Sequence, residues 1–269
     1  MLILEMSVLA RTRHIPRRST EDGTYGALAS LTRAERFYWE VLRDLLEAGL
    51  PFMVGGGYAV KFYTDARRPT KDLDIFTTPA AFPTLRSCLQ QRYSVSANEG
   101  WLGKVRHGRH FVDIIFGSSN GIVPVQEAWF QHTREAQILC HRVPVISPTE
   151  LIWSKAFIQK RNRHDGSDIV NLILKQRDVI DWQRLISYMD QHWEVLLCHL
   201  LTFRWIYPSE RDAVPSWLLD DLLSRLGQQR QAPLPVPKLC RGRLFSSVDY
   251  RNATEKWGFV HPEAESNDE

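Results

Sequence analysis

The sequence predicts an α+β protein. A mixed β-sheet with flanking helices is expected over residues 30–146, a helical domain over 147–228, and a linker with a flexible tail over 229–269. Three observations lead to this division. Up to Ile146, short apolar runs bounded by turn residues alternate with stretches of helical periodicity. From Ser147 the periodicity is almost wholly helical. After that, QQRQAPLPVPK breaks any regular element, and the acidic end PEAESNDE has the composition of a chain that stays unfolded.

The elements follow in order. Residues 11–29, rich in Arg, Ser, Thr and Gly, read as irregular. In LTRAERFYWEVLRDLLEAGL the apolar positions Phe37, Val41, Leu42, Leu45 and Leu46 fall on one helical face. Thr32 stands as the cap, Glu35 three residues on, and Gly49 is the stop. Phe52 to Val54 is a short buried strand ending in glycines. A brief helix through Tyr58 to Tyr63 leads to the basic turn ARRPTK, and DLDIF is the next strand. Pro79 and Pro83 open a helix over LRSCLQQR. WLGKVRHGRHFVDIIF predicts a hairpin about His107–Gly108, and AQILC with RVPVI a second strand pair. SPTELIWSKAFIQKR begins a helix, with Ser147 as cap, Pro148 at the first helical position and Glu150 at the third. Three further helical stretches reach about residue 227. His192, Trp193, His199, Phe203 and Trp205 recur at near-helical spacing, which predicts packing over a substrate rail.

Composition excludes several classes. A net charge of +3 is too small to mark a general nucleic-acid binder, so an anionic ligand must be met by a local site. Cys88, Cys140, Cys198 and Cys240 lie far apart without metal-ligand spacing, as expected in a reducing compartment. No run approaches the roughly 20 apolar residues that cross a bilayer. The arginines follow the opening MLILEMSVLA instead of preceding it, the wrong order for a secretory signal. A cytoplasmic protein with no membrane partner is the expectation. No histidine set has zinc-like spacing.

The chemistry gathers in PFMVGGGYAVKFYTDARRPTKDLDIF. Asp72 and Asp74 are i and i+2 on a strand, so both carboxylates leave one face and repel unless a cation or protons compensate. Mg²⁺, a hard ion that takes carboxylates together with phosphate oxygens, is the natural partner. Taken alone, such a pair more often just ends a strand. Asp113 interrupts the apolar strand HFVDIIF, where an unpaired carboxylate is expensive. Either it joins the other two acids, or it forms a structural salt bridge to Lys104 or Arg109. The glycines between strand and helix let backbone N–H groups approach phosphate, although a tight turn alone also explains them. Both the P-loop ending and the GxGxxG pattern are missing. Asp165 and Asp168, with Arg161 and Arg163 near, read first as a helix-terminal salt-bridge network and second as one wall of the cleft.

Taken together, these motifs resemble the nucleotidyltransferase fold superfamily, in particular its minimal group. Gly56 and Gly57 match the glycine pair, Asp72 and Asp74 the metal-binding acids, and Asp113 the third acid; Arg68, Thr70 and Lys71 match the basic approach. The likeness spans about residues 35–175. SPTELIWSKAFIQKRNRHDGSDIVNLI looks like the helical segment that follows the catalytic domain, with Lys155, Arg161, Asp165 and Asp168 at its charged positions. Asn171 stands where relatives often carry another acid.

The resemblance implies binding of an NTP with Mg²⁺ (Mn²⁺ as a substitute). It further implies transfer of the nucleoside monophosphate to an unknown hydroxyl acceptor, with loss of pyrophosphate. Asp72, Asp74 and Asp113 would be both catalytic and metal-holding; Gly56, Gly57, Arg68, Lys71 and Lys155 would contact nucleotide. The acceptor stays open between small molecule, RNA and protein, with no specific DNA binding. An antibiotic-modifying or toxin-like enzyme and a non-catalytic nucleotide- or protein-binding module are the competing readings. A close acidic trio favours catalysis, salt bridges filling its site favour a scaffold, and a small apolar acceptor pocket favours a small-molecule acceptor.

Overall fold

The computed structural model describes residues 29–66 and 70–262. The predicted irregular start, most of the acidic end and Arg68 lie outside them. Helix α1 (Arg33–Glu47) begins as the sequence requires. The Thr32 hydroxyl accepts from the Glu35 backbone N–H at 3.2 Å, and the Glu35 carboxylate accepts from the Thr32 N–H at 2.8 Å. This capping box satisfies two N–H groups that the helix itself leaves open. Phe37, Tyr38, Val41, Leu42 and Leu45 form its buried face.

A seven-stranded mixed sheet follows, formed by β1 (Met53–Val54), β2 (Leu73–Phe76), β3 (Ser94–Glu99), β4 (Leu102–His107), β5 (His110–Ile115), β6 (Arg134–Ile138) and β7 (His141–Val145). Their spatial order is β3-β4-β5-β2-β1-β7-β6. β2 lies at its centre, parallel to β5 and antiparallel to β1, while β1 runs parallel to β7. Helix α2 (Gly56–Thr64) connects β1 to β2 and ends where Asp65 turns left-handed (φ 55°). Helix α3 (Phe82–Leu89) carries Pro83 in its first turn, as expected.

The hairpin between β4 and β5 closes on the pair His107 and His110, so the turn residues are Gly108 and Arg109. Gly108 takes φ +59°, as the first position of a two-residue hairpin turn demands. The β6–β7 hairpin makes its turn at Leu139 (φ 47°) and Cys140 (φ 66°), residues the sequence reading placed at a strand end. Neither is a usual left-handed residue, and that conformation costs an L-residue roughly 1–2 kcal/mol. Leu139 packs partly against the core, which gives it a reason to be there. Cys140→Gly is therefore expected to stabilise the protein by about 1 kcal/mol, read as a higher urea midpoint with unchanged slope.

Helices then dominate: α4 (Pro148–Ala156), α5 (Gly166–Gln176), α6 (Trp182–Tyr188), α7 (Trp193–Ile206) and α8 (Ser216–Gln229). A small hairpin of β8 (Gln159–Lys160) and β9 (Arg163–His164) separates α4 from α5, a feature the helical reading missed. Ser147 sits at the α4 cap, but its hydroxyl bonds to the Glu150 side chain and caps no backbone group. Glu150 is fully buried and also accepts from Arg184 Nε at 2.8 Å, which ties α4 to α6. On α7, His199 and Phe203 pack inward as predicted, whereas Trp205 is 83% exposed. One continuous hydrophobic cluster runs from Phe37 of α1 to Leu222 of α8, joining the sheet to the helices.

Within 229–262, expected to be a linker and tail, a backbone bridge joins Leu239 to Val260, and a short helix α9 (Arg251–Glu255) forms between them. Among the described residues, no helix is long and apolar enough to cross a membrane.

Candidate active site

Strand alternation and sheet order bring the acids together. Asp74 on β2 is directly paired with Asp113 on β5, and Asp72 lies one residue before β2. Each of the three offers a carboxylate oxygen, and these oxygens lie within 4.8 Å of one another. All three side chains are partly buried.

The glycine turn is built around this cluster. The Gly55 N–H donates to the Asp74 carbonyl at 2.9 Å, locking the turn onto β2. Gly56 has φ +53°, and any Cβ there would overlap Asp74 Oδ2. Glycine at 56 thus serves two needs: a left-handed backbone and room for a carboxylate. A Cβ on Gly57 would meet Thr70 Oγ1 at 2.5 Å, so this glycine lets the segment before β2 close over the helix start. Gly55 gives α2 no side-chain cap, so no cap side chain stands between the amides of its first turn and a ligand. Gly56→Ala is expected to cost at least about 1–2 kcal/mol of stability from the backbone alone. It should also displace the Asp74 carboxylate, so catalytic loss should exceed what the stability loss explains. Chemical denaturation beside a transfer assay checks both.

The charges are not balanced. Burial, reinforced by the neighbouring charges of Asp72 and Asp113, raises the Asp74 pKa to about 7, against the pull of Lys155 and Arg163. Asp113 is also raised, chiefly by burial, and opposed by a hydrogen bond from Lys104. Lys104 stands opposite Asp113 on β4, with Nζ 2.6 Å from Oδ1. Both sequence alternatives for Asp113 therefore hold at once: it joins the trio and it carries a salt bridge.

The other expected site residues are placed as follows. Lys71 is exposed, and its carbonyl accepts from Tyr38 OH at 2.9 Å. Lys155 is neither exposed nor free. Its side chain, 6% exposed, lies 2.6 Å from Asp165 Oδ2 and 2.9 Å from Asp168 Oδ2. Burial pushes Asp165 up, but Lys155 and Arg163 outweigh it and hold the carboxyl below its usual range. Lys155, not Arg161, is thus the centre of the predicted network; Arg163 Nε approaches Asp165 at 3.5 Å, and Arg161 pairs instead with Asp249 at 3.3 Å. Asn171 accepts from Tyr207 OH at 2.8 Å, filling with a neutral bond the place of a further acid.

A cleft opens over the trio. Gly56, Asp74, Asp113, Lys155, Lys160 and Arg163 line one part of it. Arg163 belongs to the cluster whose second reading was a wall of the cleft; Lys160 was missed, because the short β8–β9 hairpin that carries it leaves no alternation in the sequence. A strand, a glycine turn into a helix, a central strand with Asp72 and Asp74, and a parallel neighbour bearing Asp113 make a recognisable set. These are the elements, in the order, that the sequence resemblance implied.

No protein-family model matches the chain. No curated protein matches it in sequence. Among solved structures, it is similar to ANT(2")-Ia in complex with adenylyl-2"-tobramycin, at 16% identity and a TM-score of 0.45, covering 60% of this chain and 99% of that one. It is similar to the lincosamide antibiotic adenylyltransferase LnuA with lincomycin bound, at 19% identity and a TM-score of 0.38, covering 53% and 96%. An antigenic nucleotidyltransferase-like protein from Paracoccidioides brasiliensis matches at 15% identity and a TM-score of 0.41, covering 68% and 92%. Likenesses this distant say nothing about what the chain acts on.

The site fits a divalent cation. Three carboxylates share one small space and a glycine keeps that space open; burial first, and the neighbouring carboxylates second, raise the Asp74 pKa.

Proposed function

We propose that this protein transfers a nucleoside monophosphate from an NTP to a hydroxyl group of a small-molecule acceptor, in the manner of antibiotic-modifying enzymes, and releases pyrophosphate. The observation that carries the reading is the Asp72–Asp74–Asp113 trio set against the open first turn of α2. A Mg²⁺ ion held by the trio would supply positive charge to the polyphosphate oxygens and polarise the α-phosphorus. The chain's own groups do the rest. The first-turn amides of α2 and the Gly56–Gly57 backbone receive phosphate oxygens. Arg163 and Lys160 extend that positive wall along the cleft. Lys155, held by two carboxylates, positions this wall. Asp74 and Asp113 face the place where the acceptor oxygen must come in line with the leaving group. One of them takes its proton as the new P–O bond forms and the bond to pyrophosphate breaks.

The Lys104–Asp113 salt bridge is what a non-catalytic scaffold would also show. It engages one oxygen of one acid, and the three acids still converge. The small-molecule acceptor is favoured by the rest of the cleft, where Trp101, Phe157 and Phe245 join the lining. The test incubates the protein with each α-labelled NTP, Mg²⁺ and either pooled small hydroxyl compounds or total RNA, with an Asp72→Ala/Asp74→Ala control. Label is expected in low-mass products. Label in RNA would replace the acceptor class, and no label or pyrophosphate anywhere would remove the enzyme reading.

A further inference from the structure

The C-terminal segment is a closed loop laid across the cleft. Its ends are joined where the Cys240 N–H donates to the Val260 carbonyl and the Val260 N–H to the Lys238 carbonyl, both at 2.8 Å. Its front is fixed at three points. The Asn120 side-chain amide donates to the Leu244 carbonyl at 2.9 Å. The Phe245 ring lies 6.1 Å from that of Phe157, between centroids. Asp249 takes the Arg161 guanidinium at 3.3 Å. Asn120 is itself held, because its carbonyl oxygen accepts from Ser118 Oγ at 2.7 Å and from the Ile122 N–H at 3.2 Å. Leu244 and Phe245 thereby line the same cleft as Asp74 and Asp113, and Ser246 next to them is buried.

We infer that residues 239–260 form a strap that walls the acceptor half of the cleft and selects a small, uncharged hydroxyl compound with an apolar ring face. The inference rests on the transfer reading above and names the acceptor's chemistry. Trp101, Leu244 and Phe245 are only partly buried, so among the described residues they leave apolar surface open inside the cleft. Aromatic surface of that kind binds flat apolar faces at low cost in side-chain order. In the transfer reading the charged groups of the cleft have other roles. Its acids among the described residues are Asp74 and Asp113, both in the trio, which leaves no further carboxylate for a polycation. Its cations Lys160 and Arg163 would face phosphate, and Lys155 is held by Asp165 and Asp168. Ser118 and Asn120 also line the cleft, but their hydrogen bonds go to each other, to Leu244, to Ile122 and to Val123, so they hold the wall.

The test uses the full chain and ligand-observed NMR. Three probe types are compared: tyrosol with a panel of neutral hydroxylated ring compounds, spermine as polycation, and a ten-nucleotide single-stranded RNA. Affinity for a non-hydrolysable NTP analogue with Mg²⁺ is measured alongside. Phe245→Ala removes the platform. Asp249→Ala loosens the strap without touching the cleft, and so guards against a folding defect in the first variant. Trp205→Ala, on an exposed site of α7, is the control. Ring compounds are expected to bind wild type and control, and to bind at least fivefold more weakly to Phe245→Ala and Asp249→Ala, with nucleotide affinity unchanged within twofold. Equal binding to wild type and both strap variants overturns the inference. So does binding of spermine or RNA with no binding of the ring compounds, or no binding of any probe. Phe245-dependent binding of ring compounds without any binding of the nucleotide analogue would keep the strap and remove the transfer reading.

Discussion

Asp74→Asn is expected to abolish nucleotidyl transfer while making the metal-free protein more stable. The activity loss should exceed the roughly 10–100-fold typical of residues that merely orient metal ligands, because Asp74 stands at the centre of the trio. The stability gain follows from the charges. The Asp74 pKa is about 7 in the folded protein against 3.8 for an ordinary aspartate. Above about pH 4 the unfolded chain releases this proton, while the folded chain keeps it to about pH 7. Folding therefore binds a proton in this window. The Asp74 contribution to stability falls as pH rises from about 4 to about 7, then levels off. Asp165, whose pKa is lowered, contributes in the opposite sense and loses its contribution on acidification. The difference between wild type and Asp74→Asn isolates the first effect. In urea unfolding from pH 4 to 8, that difference should grow towards pH 7. Mg²⁺ at pH 8 should stabilise wild type and leave the variant unmoved. A variant of normal activity, or one with a flat difference across pH, would show that Asp74 is an ordinary solvated carboxylate.

Lys155→Met is expected to be the most damaging single change to stability, at about 3–5 kcal/mol. The ammonium lies between Asp165 and Asp168, whose side chains are 1% and 5% exposed. Removing it takes away the cation that two buried carboxylates share, with Arg163 at 3.5 Å from Asp165 remaining, a far larger penalty than losing an exposed pair, which is worth about 0–1 kcal/mol. The triad joins the end of α4 to the start of α5, so the phosphate wall should loosen with it. Adding Asp165→Asn and Asp168→Asn to Lys155→Met should recover part of the loss, because neutral amides no longer need the cation. A cost for Lys155→Met below about 1 kcal/mol in urea unfolding would mean that the triad is solvated.

The legible parts of this protein are those fixed by neighbours in sequence. Helix α1 announced itself through Thr32, Glu35 and Gly49, all within a turn of its ends. Asp72 and Asp74 were readable because a strand repeats every two residues, and Asp113 because a carboxylate in an apolar strand needs a partner. Contacts made through folding were harder to read. The resemblance pointed Lys155 towards phosphate; nothing local showed that the β8–β9 hairpin also folds back to bring Asp165 against it. That hairpin has two residues per strand, too few for alternation to register. The turn at Leu139–Cys140 was hidden because neither residue is one that normally takes positive φ. Phe245 was lost in a segment whose prolines suggest a loose arm, and the Asn120 and Arg161 anchors that order it lie more than 80 residues away in sequence.

The central claim is that the acidic trio is a cation site completed by nucleotide. Electron paramagnetic resonance of Mn²⁺ tests it most directly, titrating wild type and Asp74→Asn with and without a non-hydrolysable NTP analogue. Mn²⁺ is expected to bind wild type, to bind more tightly once the analogue is present, and to be lost from Asp74→Asn in both conditions. Mn²⁺ binding that ignores the analogue, or that survives unchanged in Asp74→Asn, would contradict it.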